Sequence, residues 1–177
     1  SAAIVGAWIA LKDLPHDAAT EAYIGLAGPM VGSVAALGCY FLAQSYDSRL
    51  LLALSYSGFF LNLFNLIPLS PFDGGRITAI ISPRLWLLGV PILVGIFFYS
   101  PSPLLIYMAL IAWPQIMRAW RYDAAAPENA FYYSVSAKKR IQYTVCYLGL
   151  AAFLAVMSHD VHELLELPGA RERGRDV

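Results

Sequence analysis

Residues 62–76, Asn-Leu-Phe-Asn-Leu-Ile-Pro-Leu-Ser-Pro-Phe-Asp-Gly-Gly-Arg, set one carboxylate, two amides and two prolines at the end of a long apolar run. Asp73 is the group with the most chemistry. A charged side chain in hydrocarbon costs roughly 2.5 to 3.5 kcal/mol even on lenient insertion scales, so a carboxylate at membrane depth points to a functional site. Asn62 and Asn65 lie one helical turn apart and share a face, and an amide in lipid requires a partner. An interhelical hydrogen bond is the expectation for Asn62. Pro68 and Pro71 prevent a regular helix, leaving irregular backbone that is tolerated at depth only inside protein or beside a water-filled cavity. Gly74 and Gly75 then let the chain turn and leave space beside the carboxylate. A plainer reading makes Asp73 the N-cap of the next helix, paired with Arg76 three residues on. In a soluble protein that reading would prevail; two flanking apolar spans favour the functional one.

Other groups with reactive side chains carry less. His159 and His162 occur as His-x-x-His-Glu, without the i, i+4 histidine pair of a helical zinc signature, and read as a polar helix end at the membrane surface. His16 stands alone in a polar loop, and Cys39 and Cys146 sit inside apolar runs as small buried hydrophobes.

Asn65, Pro68 and Asp73-Gly74-Gly75, with the proline three and the aspartate eight residues after the asparagine, resemble the second metal-site motif of the site-2 protease family of intramembrane zinc metalloproteases. Gly28 and Pro29, within Gly-Leu-Ala-Gly-Pro-Met-Val-Gly at 25–32, resemble the Ala-Gly-Pro segment of the helix before that motif, and the likeness extends over about residues 2–83. The resemblance implies that Asp73 is the third protein ligand of a catalytic zinc and that Asn65 contacts the substrate or the developing oxyanion. It also implies that the substrate is a transmembrane segment of another protein. The family's first motif, His-Glu-x-x-His, supplies the other two ligands and the general base, and it is absent from these 177 residues. The expectation is therefore a chain lacking its N-terminal portion and inert as a protease by itself. The competing reading is a non-catalytic scaffold or transporter-like protein using the Asn/Asp cluster as a polar relay or ion site.

The elements that must position these residues are membrane elements. Hydrophobic residues form 59% of the chain and charged ones 14%, against roughly 45 to 50% and 25% in soluble domains; mean hydropathy is +0.59. The lipid bilayer is the expected surrounding, and zero formal charge gives no basic surface for nucleic acid. The fold class expected is an all-α polytopic membrane protein of about five hydrophobic helices with a short N-terminal membrane-associated strand. The strand falls at 2–11, where β-branched and aromatic residues favour extended backbone in a run too short to span. Spans are expected at 18–43, 50–68, 85–99, 104–120 and 141–158, with a surface connector at 121–140. In domain terms, 1–83 forms the C-terminal part of the metalloprotease core, 84–158 the additional helices and 159–177 a polar tail. Gly25, Gly28, Gly32 and Ala36 recur along one face of the first span, a close-packing surface for the missing helix or, equally, a generic small-residue helix interface.

Charge placement sets the expected topology. Lys12, Arg76, Arg84, Arg118, Arg121, Lys138, Lys139 and Arg140 fall on one side, Arg49 and the tail arginines 171, 173 and 175 on the other. The first side is expected to be cytoplasmic, with Asp73 toward it.

Overall fold

The computed structural model describes residues 18–69, 71–123, 125–127, 129 and 133–167, and among these every regular element is helical. In chain order they are α1 (Ala18–Tyr46), α2 (Arg49–Asn65), α3 (Asp73–Ile81), a 3-10 helix (Pro83–Leu88), α4 (Gly89–Tyr99), α5 (Pro103–Trp120) and α6 (Ala137–Glu166). The strand expected at 2–11 and the end of the polar tail lie outside the described residues, as does His16. Two helices, α1 with 29 residues and α6 with 30, are long and apolar enough to cross a membrane. Only 22% and 17% of their apolar windows are buried, so neither is the enclosed core helix of a soluble domain. The helices on the other three expected spans, with 17 residues in α2, 11 in α4 and 18 in α5, do not meet that test, so among the described residues two of the five expected spans are supported.

Helix starts follow local capping. Ser48, Ser82, Ser102 and Ser136 precede α2, the 3-10 helix, α5 and α6, and each side-chain oxygen accepts a backbone N–H from the first turn. Between α1 and α2 the chain reverses in two residues, with Asp47 in the left-handed region at φ 48°, a conformation Asp adopts more readily than most residues. The second span, expected to reach Pro68, ends as a helix at Asn65. Leu66 and Ile67 bond back to the carbonyls of Leu63 and Phe64 in a tight turn, because the residue before a proline is driven out of the helical region.

α1 and α2 pack antiparallel through small residues. A Cβ on Gly58 would lie 2.8 Å from the Ala36 methyl, and one on Gly32 would run into the Asn62 amide. The small-residue face of α1, expected to await a missing helix, is thus occupied by α2 and α3 of its own chain. Two apolar clusters result. One joins Ala36, Phe59, Leu66 and Ile77 to Leu150, Leu154 and Val161 of α6. The other joins Ile67, Leu69 and Phe72 to Trp86, Leu93, Leu105 and Ala112. They meet at the turn before α3, where Leu66 belongs to the first and Ile67 to the second.

Candidate functional site

Asp73 is the first residue of α3, preceded by Phe72, which makes no side-chain cap bond. The cap comes from another helix. Asn65, the last residue of α2, donates from Nδ2 to Asp73 Oδ2 at 2.7 Å and accepts the Asp73 backbone N–H on Oδ1 at 3.3 Å. One amide therefore satisfies a donor at the start of α3 and steadies the carboxylate that the helix N-terminus also favours. The plainer alternative, Asp73 as the N-cap, does not hold: Asp73 is the first residue of the helix and Asn65 does the capping. Arg76 is exposed and, among the described residues, forms no ion pair with Asp73.

α1 runs beside this pair. A Cβ on Gly28 would sit 3.2 Å from Asp73 Oδ2, and one on Gly25 would sit 3.1 Å from both the Asp73 carbonyl and the Arg76 Cβ. Gly28 is exposed and Asp73 half-buried. Pro29, next along α1, is buried without interrupting the helix, and Ser33 Oγ donates to its carbonyl at 2.6 Å. Gly28 stands ten residues beyond Ala18 (28 − 18), which at 1.5 Å per residue puts the carboxylate about 15 Å along α1.

The glycine pair acts through proximity. No described glycine has positive φ, so the expected turn-making role gives way to close approach. Gly74 is buried, and a Cβ there would collide with the carbonyls of Leu66 and Ile67. The Gly75 carbonyl accepts the Trp86 indole N–H at 2.7 Å, and Pro68 is buried within the turn. Across the turn, the Tyr147 hydroxyl of α6 donates to the Leu66 carbonyl at 2.6 Å. Trp86 and Tyr147 were both absorbed into apolar runs at the level of sequence. Their signal was chemical, since a buried Trp or Tyr generally finds a partner for its polar atom, although nothing local named the partner.

Other candidates separate from the site. Asn62 Nδ2 donates to the Gly58 carbonyl at 2.7 Å, so its expected interhelical bond is instead made within α2. His159 pairs with Glu163 at 3.4 Å on an exposed face, and the His162 ring packs on Tyr56. Among the described residues no group of three His, Cys, Asp or Glu side chains converges. Asp73 is a single donor where a catalytic zinc takes three from protein, so the described residues do not by themselves fit the metal. An apolar cavity of about 950 Å³ opens beside the turn between Phe64, Pro68, Ile96, Leu105 and Tyr147, but neither Asn65 nor Asp73 lines it.

No protein-family model, curated protein or solved structure matches this chain.

Proposed function

We propose that the chain is part of an intramembrane zinc metalloprotease of the site-2 protease type, in which Asp73 contributes one carboxylate ligand and the remaining ligands come from outside the described residues. The observation that carries this reading is the Asn65–Asp73 pair. A half-buried carboxylate, held by an amide at 2.7 Å and closely approached by Gly28, lies about 15 Å along a helix long enough to cross a membrane. At membrane depth an uncompensated carboxylate is costly. The substrate in this reading is a transmembrane segment of another protein, and the arrangement is multi-pass with the site toward the cytoplasm. Zinc, when bound, supplies Lewis-acid activation of water and the scissile carbonyl. What this chain contributes is the placement of one ligand oxygen.

Protein expressed from the complete reading frame should retain about one zinc per chain in detergent and cleave a transmembrane reporter. Asp73→Ala should lose both. Unchanged metal content and cleavage in that variant would remove Asp73 from the reaction and end the proposal.

A second reading has its own support. The Asn65 amide is engaged at both ends in joining α2 to α3, so the pair is also a complete structural clasp for a non-catalytic scaffold or transporter-like protein. In that case the complete protein binds no stoichiometric zinc, and Asp73→Ala changes stability alone.

A further inference from the structure

The connector between α5 and α6 folds back toward the 3-10 helix and encloses a second pocket, of about 320 Å³. Trp86, Arg118, Arg121, Tyr122, Asn129 and Tyr133 build its wall. It is held together by specific contacts. Tyr122 and Tyr133 meet edge to face at 5.6 Å, the Arg84 guanidinium lies 5.9 Å from the Tyr122 ring centroid, and Arg140 Nη2 donates to the Tyr133 carbonyl at 3.1 Å. Asn129 Nδ2 donates to the Asp123 carbonyl at 2.8 Å, and the Tyr133 N–H to the Asn129 carbonyl at 2.9 Å. The Trp86 N–H is already given to Gly75, so its indole contributes an apolar wall.

Among the described residues, the charge around the pocket is one-sided. Arg84, Arg118, Arg121 and Arg140 come together from three separate stretches of chain, and among the described residues none of them forms an ion pair. The acidic neighbours among the described residues are Glu21, within electrostatic reach of Tyr133, and Asp123, whose Oδ1 accepts the Ala125 N–H at 2.9 Å. Burial pushes the Tyr133 phenol up to about 12, against the pull of Arg118 and with a small further rise from Tyr122 and Glu21. It therefore stays an uncharged hydroxyl and adds no negative charge of its own. Guanidinium forks match phosphate oxygens two at a time. Along α5, Ile106, Leu110, Trp113 and Trp120 are exposed, giving an apolar face with aromatics that suit acyl chains and the interface.

We propose that this pocket holds the phosphate of an anionic phospholipid headgroup, with the lipid tails lying along the exposed face of α5. The phosphate chemistry is shared with the free ion. The lipid is favoured because the arginines end a helix whose outer face is apolar, the arrangement in which basic pockets take up headgroups. The inference needs a bilayer surface at this end of α5 and is independent of any role for Asp73 in proteolysis.

The test uses the complete chain in detergent micelles, with lipid retention read by native mass spectrometry. Phosphatidylglycerol should be retained in preference to phosphatidylcholine. Arg118→Gln with Arg121→Gln should lower that retention about 30-fold, at about fivefold per arginine. Lys138→Gln with Lys139→Gln, on the same side but outside the pocket wall, should change it only a few-fold. Equal losses in the two double variants would reduce the effect to general surface charge and refute the pocket. Inorganic phosphate is the competitor: failure to displace the lipid supports the headgroup assignment, whereas phosphate binding without any lipid preference assigns the pocket to the free ion and overturns it. Arg118→Lys with Arg121→Lys guards against misfolding, since it keeps the charge and should keep at least part of the preference. Phosphatidylglycerol and phosphatidylcholine retained alike by the unsubstituted chain refutes the proposal.

Discussion

Asn65 and Asp73 are joined so closely that their substitutions report on one another. From sequence alone, Asn65 was a substrate or oxyanion contact, and its loss would leave the metal untouched. The 2.7 Å bond to Asp73 Oδ2 changes that expectation. A residue that orients a metal ligand typically costs 10- to 100-fold in metal affinity when removed. Asn65→Ala in the complete protein should therefore weaken zinc retention by about that factor, together with about 1 to 2 kcal/mol of stability from the two lost hydrogen bonds. Intact zinc affinity with cleavage reduced about 100-fold or more would restore the oxyanion role. Asp73→Asn makes the complementary experiment. Its amide can still pair with Asn65 and keep the clasp closed, while the anionic ligand is gone, so zinc should be lost with only a small change in unfolding temperature. Metal content that survives this change sinks the ligand assignment.

The elements owe their starts and stops to local chemistry except at the candidate site. Serines at 48, 82, 102 and 136 each cap the helix that immediately follows them, whereas α3 begins on a side chain contributed by α2 from eight residues upstream. Close packing then fixes where α3 lies. Gly74→Ala should destabilise by about 1 to 3 kcal/mol, because the added methyl overlaps the Leu66 and Ile67 carbonyls. Gly38→Ala, with nothing within 4 Å of its Cβ position, should be neutral or stabilising by up to about 1 kcal/mol. Thermal unfolding of both variants in one detergent makes the comparison, and equal effects would contradict the packing of the turn. Tyr147→Phe removes the donor to the buried Leu66 carbonyl and should cost about 1 to 3 kcal/mol. Full stability in that variant would mean that water reaches the carbonyl instead.

At the scale of the whole molecule, the turn at 66–72 is where two helical clusters meet, and the basic residues gather at one end. Arg84, Arg118 and Arg121 are drawn together around one pocket region, with Arg140 bonded to its wall. Asp47 lies at the far end of α1, in the turn to α2. The charge asymmetry is the basis for proposing that the arginine end is cytoplasmic. In a background with Cys39 and Cys146 replaced by alanine, Asp47→Cys should react with an impermeant thiol reagent from the non-cytoplasmic face only, and Arg121→Cys from the cytoplasmic face only. Labelling of position 47 from the cytoplasm would invert the topology and move the Asp73 site to the opposite half of the bilayer.

The sequence by itself determined that the described residues would be helical and strongly apolar, because composition and run length set the cost of each segment in lipid. It marked the break in helix at Pro68, a matter of backbone sterics, and it singled out Asn65 and Asp73 as the polar pair at that break. It misplaced the roles of several residues. Asn62 turned inward to Gly58, Gly74 served close approach, and the face of Gly25 and Gly28 received α3 from the same chain. Those outcomes depend on which backbone passes within 3 to 4 Å of which, and spacing along a chain does not carry that information. The bonds from Trp86 to Gly75 and from Tyr147 to Leu66, and the gathering of four arginines, were decided by tertiary structure alone. They pair residues 11 and 81 positions apart in the first two cases, distances over which no local pattern constrains the partner.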